Sequence, residues 1–179
     1  MRFYVDFGAN VGDTIAAWLA KYPDSTVLGV EPNAELCERL AGRFGDDSRV
    51  TIVAAAAGTH DGEAILYPGI RSHESSTLIT GKDPKHSWRV DYGNGIPVPV
   101  VDAARLILDH WPQCDDAVIK IDIEAGEYEL VPYLIGAGVL ARFSEARVEW
   151  HWRKFNVSRK KHDAVRNALA KVTRVVDWK

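Results

Sequence analysis

The sequence predicts an α/β fold in which one doubly wound, mostly parallel sheet carries helices on both faces. Three observations predict it. Short apolar runs alternate with stretches of helical periodicity, at a spacing that suits right-handed crossovers between parallel strands. A glycine-bearing turn follows the first apolar run, where an open parallel sheet receives a ligand. A later run, Val118 to Ile123, carries charge only at Lys120 and Asp122, which reads as a buried strand emerging at an edge. The 179 residues suit one domain, 1–179, large enough to bury a core without staples.

Taken in order, Phe3 to Phe7 is the first strand candidate, and a helix runs from about Asp13 to Lys21, where Pro23 stops it. Thr26 to Val30 is the second strand. Asn33 can cap the next helix, whose apolar face includes Leu36, Leu40 and Phe44. Val50 to Ala54 is the third strand, and Ala64 to Tyr67 a short one. From about Pro68 to Pro99 the chain is rich in Gly, Pro, Ser, His and charge. Such an irregular stretch either covers a site or is a disordered insertion. Val101 to Trp111 then reads as a helix, Ala117 to Ile123 as a strand, and Glu127 to Ile135 as a helix ending at Gly136 or Gly138. Ser144 to Trp150 is a strand, Ser158 to Lys171 a polar helix, and Val172 to Trp178 a last strand. The count is about six core strands.

The turn after the first strand, Gly8-Ala9-Asn10-Val11-Gly12, lets the backbone bend sharply and approach a ligand without β-carbons in the way. The helix beginning near Gly12 points free amides and its positive dipole end at the same crevice, which suits an amino-acid carboxylate or a phosphate. A dinucleotide fingerprint needs glycine where Asn10 stands, so NAD is disfavoured. Glu31 closes the second strand at about the distance of a ribose-binding acid, and its carboxylate can accept from both ribose hydroxyls. Further on, a period of two brings Lys120, Asp122 and Glu124 to one face of a strand or its extension. Three charges there are costly unless paired, solvated or used; a structural Lys120–Asp122 pair is the plain alternative to a role in chemistry.

These segments together, Asp6 to Thr14, Val30-Glu31-Pro32-Asn33, and Lys120 to Glu127, resemble in order and spacing the FkbM-like family of class I S-adenosylmethionine-dependent methyltransferases. Ser75-Ser76-Thr77-Leu78 resembles the family's serine-rich segment, and Val98 to Ala103 the approach to its following helix; the likeness covers about residues 3 to 150. The resemblance implies a Rossmann-like class I sheet and methyl transfer from S-adenosyl-L-methionine to a hydroxyl on a sugar, glycolipid or other secondary metabolite. Carried over, Asp6, Gly8, Asn10 and Gly12 would line the methionine side of the cofactor, with Ala9 and Thr14 in the same turn. Glu31, followed by Pro32, would hold the ribose, and Ala55 or Ala56 would lie near adenine. Asp122 and Glu124 would sit near the sulfonium and the acceptor. There are two departures. The family reads glycine then alanine after its D-x-E, whereas Ala125 precedes Gly126 here, placing a β-carbon where an unusual backbone is expected. The chain also stops soon after Trp178, where a class I fold adds a final antiparallel strand; an abbreviated sheet, or a second copy covering the edge of a homo-oligomer, would follow.

Methyl transfer to a hydroxyl calls for a proton acceptor. His151 is the first candidate, because it follows a strand on the cofactor edge and shares a face with Glu149, which could orient the imidazole. Glu124 competes for that role. Asp122 with Glu124 could hold a divalent cation, but no third ligand is evident, so no metal is expected. Trp150, Trp152 and Phe155 either stack against a sugar or pack under the polar helix, and Arg71, His73 and His86 offer acceptor contacts. Two other readings remain: a non-catalytic S-adenosylmethionine-binding module, and a nucleic-acid methyltransferase gripping phosphates through Arg153, Lys154, Arg159, Lys160 and Lys161. A formal net charge of −3 gives no global attraction to nucleic acid or membrane, and the Asn/Asp-Pro-Pro-aromatic motif of amino-group methylation is missing after the fourth core strand. No apolar run is long enough to span a bilayer, and Phe3-Tyr4-Val5 reads as strand rather than signal peptide. Cys37 and Cys114 lie far apart without metal-ligand spacing, so a reducing cytoplasm is expected, with a small-molecule or glycan acceptor as partner.

Overall fold

The computed structural model describes residues 1–70, 76–80 and 90–178, so that Arg71, His73, Ser75 and His86 lie outside the described residues. The chain runs β1 (Arg2–Phe7), α1 (Asp13–Lys21), β2 (Ser25–Val30), α2 (Ala34–Phe44) and β3 (Val50–Val53). Then follow β4 (Ala56–Gly58), β5 (Gly62–Leu66), β6 (Ile96–Asp102), α3 (Ala103–Asp109) and β7 (Asp116–Ile121). Last come α4 (Glu127–Gly136), β8 (Glu145–Val148), α5 (Arg159–Leu169) and β9 (Arg174–Asp177). The main sheet has six strands in the order β3-β2-β1-β7-β8-β9. Every pair in it is parallel, so β9 joins β8 directly. The chain builds outward from β1 to one side and then from β7 to the other, which puts the topological switch point between β1 and β7.

Alternation along β1 explains the two layers. Phe3, Val5 and Phe7 face a core shared with Ile107 of α3, Val131 and Leu134 of α4 and Leu169 of α5. Tyr4 faces the opposite layer, with Ile15 and Trp18 of α1 and Leu40 and Phe44 of α2. The capping residue of α2 is Asn33 as expected; its side chain accepts from the Glu35 and Leu36 amides, and Leu36, Leu40 and Phe44 are the buried face.

A second sheet, β4-β6-β5, was not foreseen. Residues expected to open a helix at Val101 instead belong to β6, and α3 starts only at Ala103, with the Asp102 side chain capping it. Prolines at 97 and 99 disguise that strand. β4 pairs only with Val100 to Asp102, so both prolines lie where β6 has an open edge and a missing N–H costs no ladder bond. Part of the irregular stretch pairs back on the residues that follow β5 through the isolated bridges Tyr67–Thr77 and Gly69–Val90. Among the described residues no helix is long and apolar enough to cross a membrane.

Candidate active site

At the carboxyl ends of β1, β2, β7 and β8 lies a cavity of about 610 Å³. The glycine turn (Gly8, Ala9, Asn10), Glu31 and Pro32 form one side of it. Ala56, Leu66 and Thr77 line a second side, and Asp122, Glu124, Glu149 and Lys154 a third. Three segments distant in the chain therefore meet on one rim, as their placement at strand ends demanded. Thr14 also lines the cavity, whereas Asp6, Gly12, Ala55 and His151 stand behind its wall.

Backbone strain is concentrated at this rim. Gly8 has φ +84°, and a β-carbon there would lie 2.0 Å from the Asp122 carbonyl oxygen. Asn10 adopts φ 50°, Glu124 φ 46° and Ala125 φ 85°, all uncommon for residues with side chains. The Asn10 amide donates to Glu31 Oε2 at 3.0 Å and the Asn33 amide to Glu31 Oε1 at 3.0 Å, so the acid ties the glycine turn to the end of β2. Burial raises the Glu31 carboxyl above the ordinary range, and these two amides pull against that rise.

Lys120, adjacent to Asp6 in the β1–β7 register, is buried and fills its donor capacity locally. Its Nζ lies 3.1 Å from Asp6 Oδ1, 2.9 Å from the Gly8 carbonyl and 3.3 Å from Asp122 Oδ2. Burial opposes its charge, yet the two carboxylates outweigh that and hold its pKa above the ordinary lysine value. Asp6, fully buried, also accepts from the Thr14 hydroxyl, so it is spoken for by the chain itself. The structural Lys120–Asp122 pair is thus present, and it extends to the floor of the glycine turn. Asp122 is itself raised, chiefly by burial and then by Glu149, with Lys120 opposing.

Alternation stops where β7 ends. The turn after it brings Glu124 onto the cavity wall with Lys154 Nζ at 3.1 Å, and the Thr77 hydroxyl donates to the Glu124 carbonyl at 2.8 Å. Ala125, placed by sequence where glycine is expected, does occupy the left-handed region, and Gly126 takes ordinary helical angles at the head of α4. Ala125→Gly is expected to stabilise the chain by about 1 kcal/mol, because an L residue in this region costs about that much. A higher urea midpoint at unchanged slope would register it; a lower midpoint would mean that the methyl's packing outweighs the strain.

His151 is 1% exposed and does not open on the cavity. Glu149 Oε1 does approach it, at 3.2 Å from Nε2, but the orienting carboxylate is Glu127, whose Oε1 lies 2.9 Å from Nδ1. Sequence reading missed Glu127, since an acid in the first turn of a helix ordinarily faces solvent; here it is fully buried and also accepts from the Ile123 and Ala125 amides. Burial opposes a charged imidazole, but Glu127, Glu149 and Glu124 raise its pKa to about 10, and its interaction in turn lowers that of Glu149. A ring that keeps its proton at neutral pH and stands behind the wall does not suit the general-base role assigned to it from sequence.

Two alternatives left open by the sequence are met by the packing. Trp152 stacks on His162 of α5 at 5.4 Å, Trp150 meets the same ring edge-on and donates to Asp177, and Phe155 is buried. The two tryptophans pack against the polar helix, the plainer of the two alternatives. The basic cluster is dispersed: Lys154 turns to Glu124, Arg159 pairs with Asp163, and Arg153 lies over Trp152.

Fold and site together define a doubly wound α/β protein of the methyltransferase type, with its cavity at the switch point. The methyltransferase FkbM domain model matches residues 6–175, and the chain belongs to that family. The crystal structure of methyltransferase FkbM from Methylobacillus flagellatus KT is similar, with a TM-score of 0.56 over 97% of this chain and 38% of that one, at 16% identity. The chain thus spans well under half the length of that protein, and at such identity the likeness bears on the fold alone. No curated protein matches the chain in sequence.

Proposed function

We propose that the chain is an S-adenosylmethionine-dependent O-methyltransferase acting on a hydroxyl of a sugar, glycolipid or other secondary metabolite. One observation carries the reading: the glycine turn, Glu31 and the Asp122–Glu124 segment line a single cavity. The residues fit the cofactor. Each Glu31 oxygen accepts one backbone amide and retains a lone pair for a ribose hydroxyl. Ala56 and Ala57 leave room for a flat base, and the bare Gly8 lets a ligand approach the backbone. Asp6, Gly12 and Ala55 are not among the lining residues and support that surface from behind. When bound, S-adenosylmethionine supplies a methyl group on a positively charged sulfur, whose departure to an acceptor oxygen leaves a neutral thioether and frees the hydroxyl proton. Glu124 is the carboxylate suited to take that proton: it lines the cavity and its ammonium partner, Lys154, is partly exposed, whereas Asp122 is paired with the buried Lys120. Asp122, Glu124, Glu149 and Lys154 form a polar wall that matches an acceptor bearing several hydroxyls.

Calorimetry with S-adenosylmethionine, S-adenosylhomocysteine and NAD tests the cofactor assignment. Both sulfur ligands are expected to bind and NAD to fail, with Glu31→Ala weakening binding by about 1–3 kcal/mol. Equal affinity in that variant would remove Glu31 from its role. In single-turnover methylation Glu124→Gln should slow transfer about 100-fold; an unchanged rate would send the proton elsewhere.

A further inference from the structure

We propose that Asp122, Glu149 and His151 form a divalent-cation site on the acceptor wall of the cavity. One ligand atom from each lies within 4.8 Å of the others. His151 Nε2 is 3.2 Å from Glu149 Oε1 and 3.7 Å from Asp122 Oδ1. Metal–ligand bonds near 2.1 Å set neighbouring donors roughly 3.0 to 3.5 Å apart, so small rotations of two side chains would enclose an ion.

An acidic cluster alone would not mark a site; His151 supplies the independent observation. Its residue is 1% exposed, and Nε2 has no hydrogen-bond partner among the described residues although it points into the carboxylates. The ring's orientation is set from the other side. Glu127 Oε1 already accepts from two backbone amides and accepts from Nδ1 as well, so Nδ1 carries hydrogen and Nε2 is the atom that holds either a proton or a metal ion. Nε2 faces oxygens of Glu149, Glu124 and Asp122, at 3.2, 3.4 and 3.7 Å. Such an arrangement is repulsive unless something positive stands between. A proton can serve one of these acceptors along one line, whereas a metal ion can bond to Nε2, Asp122 and Glu149 at once. A carboxylate behind a ligating imidazole is also the usual support of a metal-bound histidine, and Glu127 stands in that position.

One nitrogen with two carboxylates is a mixed set that suits a borderline ion such as Mn²⁺ or Zn²⁺. Asp122 and Glu149 line the cavity, so the ion's remaining positions would open toward an acceptor and sharpen the acidity of its hydroxyl. That last role rests on the methyltransferase reading; cation binding does not.

The test uses the whole chain, stripped with a chelator and titrated with Mn²⁺ and, separately, Zn²⁺, without any cofactor. Binding is read by calorimetry and, for Mn²⁺, by loss of the free-ion electron paramagnetic resonance signal. One ion per chain is expected. Glu149→Gln, on the cavity wall, should weaken binding at least tenfold, and Glu127→Gln about 10- to 100-fold through the imidazole it orients. His151→Ala risks misfolding, so Glu149→Gln, checked for native circular dichroism, carries the decision. No saturable binding of either ion up to about 1 mM, or equal affinity in folded Glu149→Gln, would overturn the site. Calorimetry with S-adenosylmethionine on the same preparation keeps the two readings apart: nucleoside binding without metal defeats only the site, and metal binding without nucleoside defeats only the cofactor assignment.

Discussion

Gly8→Ala is expected to destabilise the chain by about 4 kcal/mol or more, among the largest effects of a single methyl group. Two costs combine. The left-handed φ of +84° is strained for any L residue, by about 1–2 kcal/mol. The new β-carbon would also lie 2.0 Å from the Asp122 carbonyl oxygen and 3.0 Å from its carbon, which are backbone atoms and cannot swing aside. Neither strand end is free to retreat, because the Gly8 amide donates to Val30 at 3.0 Å and the Asp122 amide to Phe7 at 3.0 Å. Relief therefore requires parting β1 from β7 at the switch point, and the cavity with them. Guanidinium unfolding measures the loss, and nucleoside binding should vanish in whatever fraction stays folded. A cost below about 1 kcal/mol would show that the two strand ends yield easily.

Lys120→Met should cost about 3–5 kcal/mol, because it removes charge while keeping volume and leaves carboxylates buried without their partner. Asp6 is fully buried and Lys120 is 3% exposed, so water does not replace the lost ammonium. The Gly8 carbonyl loses its donor in the same step. If the pair is the cause, Asp6→Asn combined with Lys120→Met should cost less than the two changes summed, since the stranded charge is gone. Simple additivity in denaturant titrations would mean that Lys120 stabilises by packing its stem and not by pairing.

The parts of the site that were legible in sequence are those where chemistry and local geometry coincide. Gly8, Glu31 and Asp122 stand at strand ends, and in a parallel sheet strand ends converge, so their shared cavity followed from the alternation of elements. Ala125 broke the expected order of residues, and the backbone there is strained as that break implied. Glu127 was hidden because its neighbours in sequence suggest an exposed helix start, while its partner His151 is 24 residues away. The strand β6 was hidden by Pro97 and Pro99, which read as loop until β4 and β5 are known to leave one edge open there. Lys154 looked like one member of a basic cluster; only the approach of Glu124 turned it inward.

By itself the sequence determined the kind of fold, its six-strand alternation, the Asn33 cap of α2 and the identity of the family, because periodicity, capping and turn chemistry act over a few residues and leave their mark in order and spacing. Tertiary structure alone decided which charges pair and which face the cavity. Lys120 with Asp6, Glu127 with His151, and the convergence of Asp122, Glu149 and His151 join residues from different strand ends. Partnership between such groups depends on the final separation of side chains and on the water excluded around them, and no local pattern encodes either quantity.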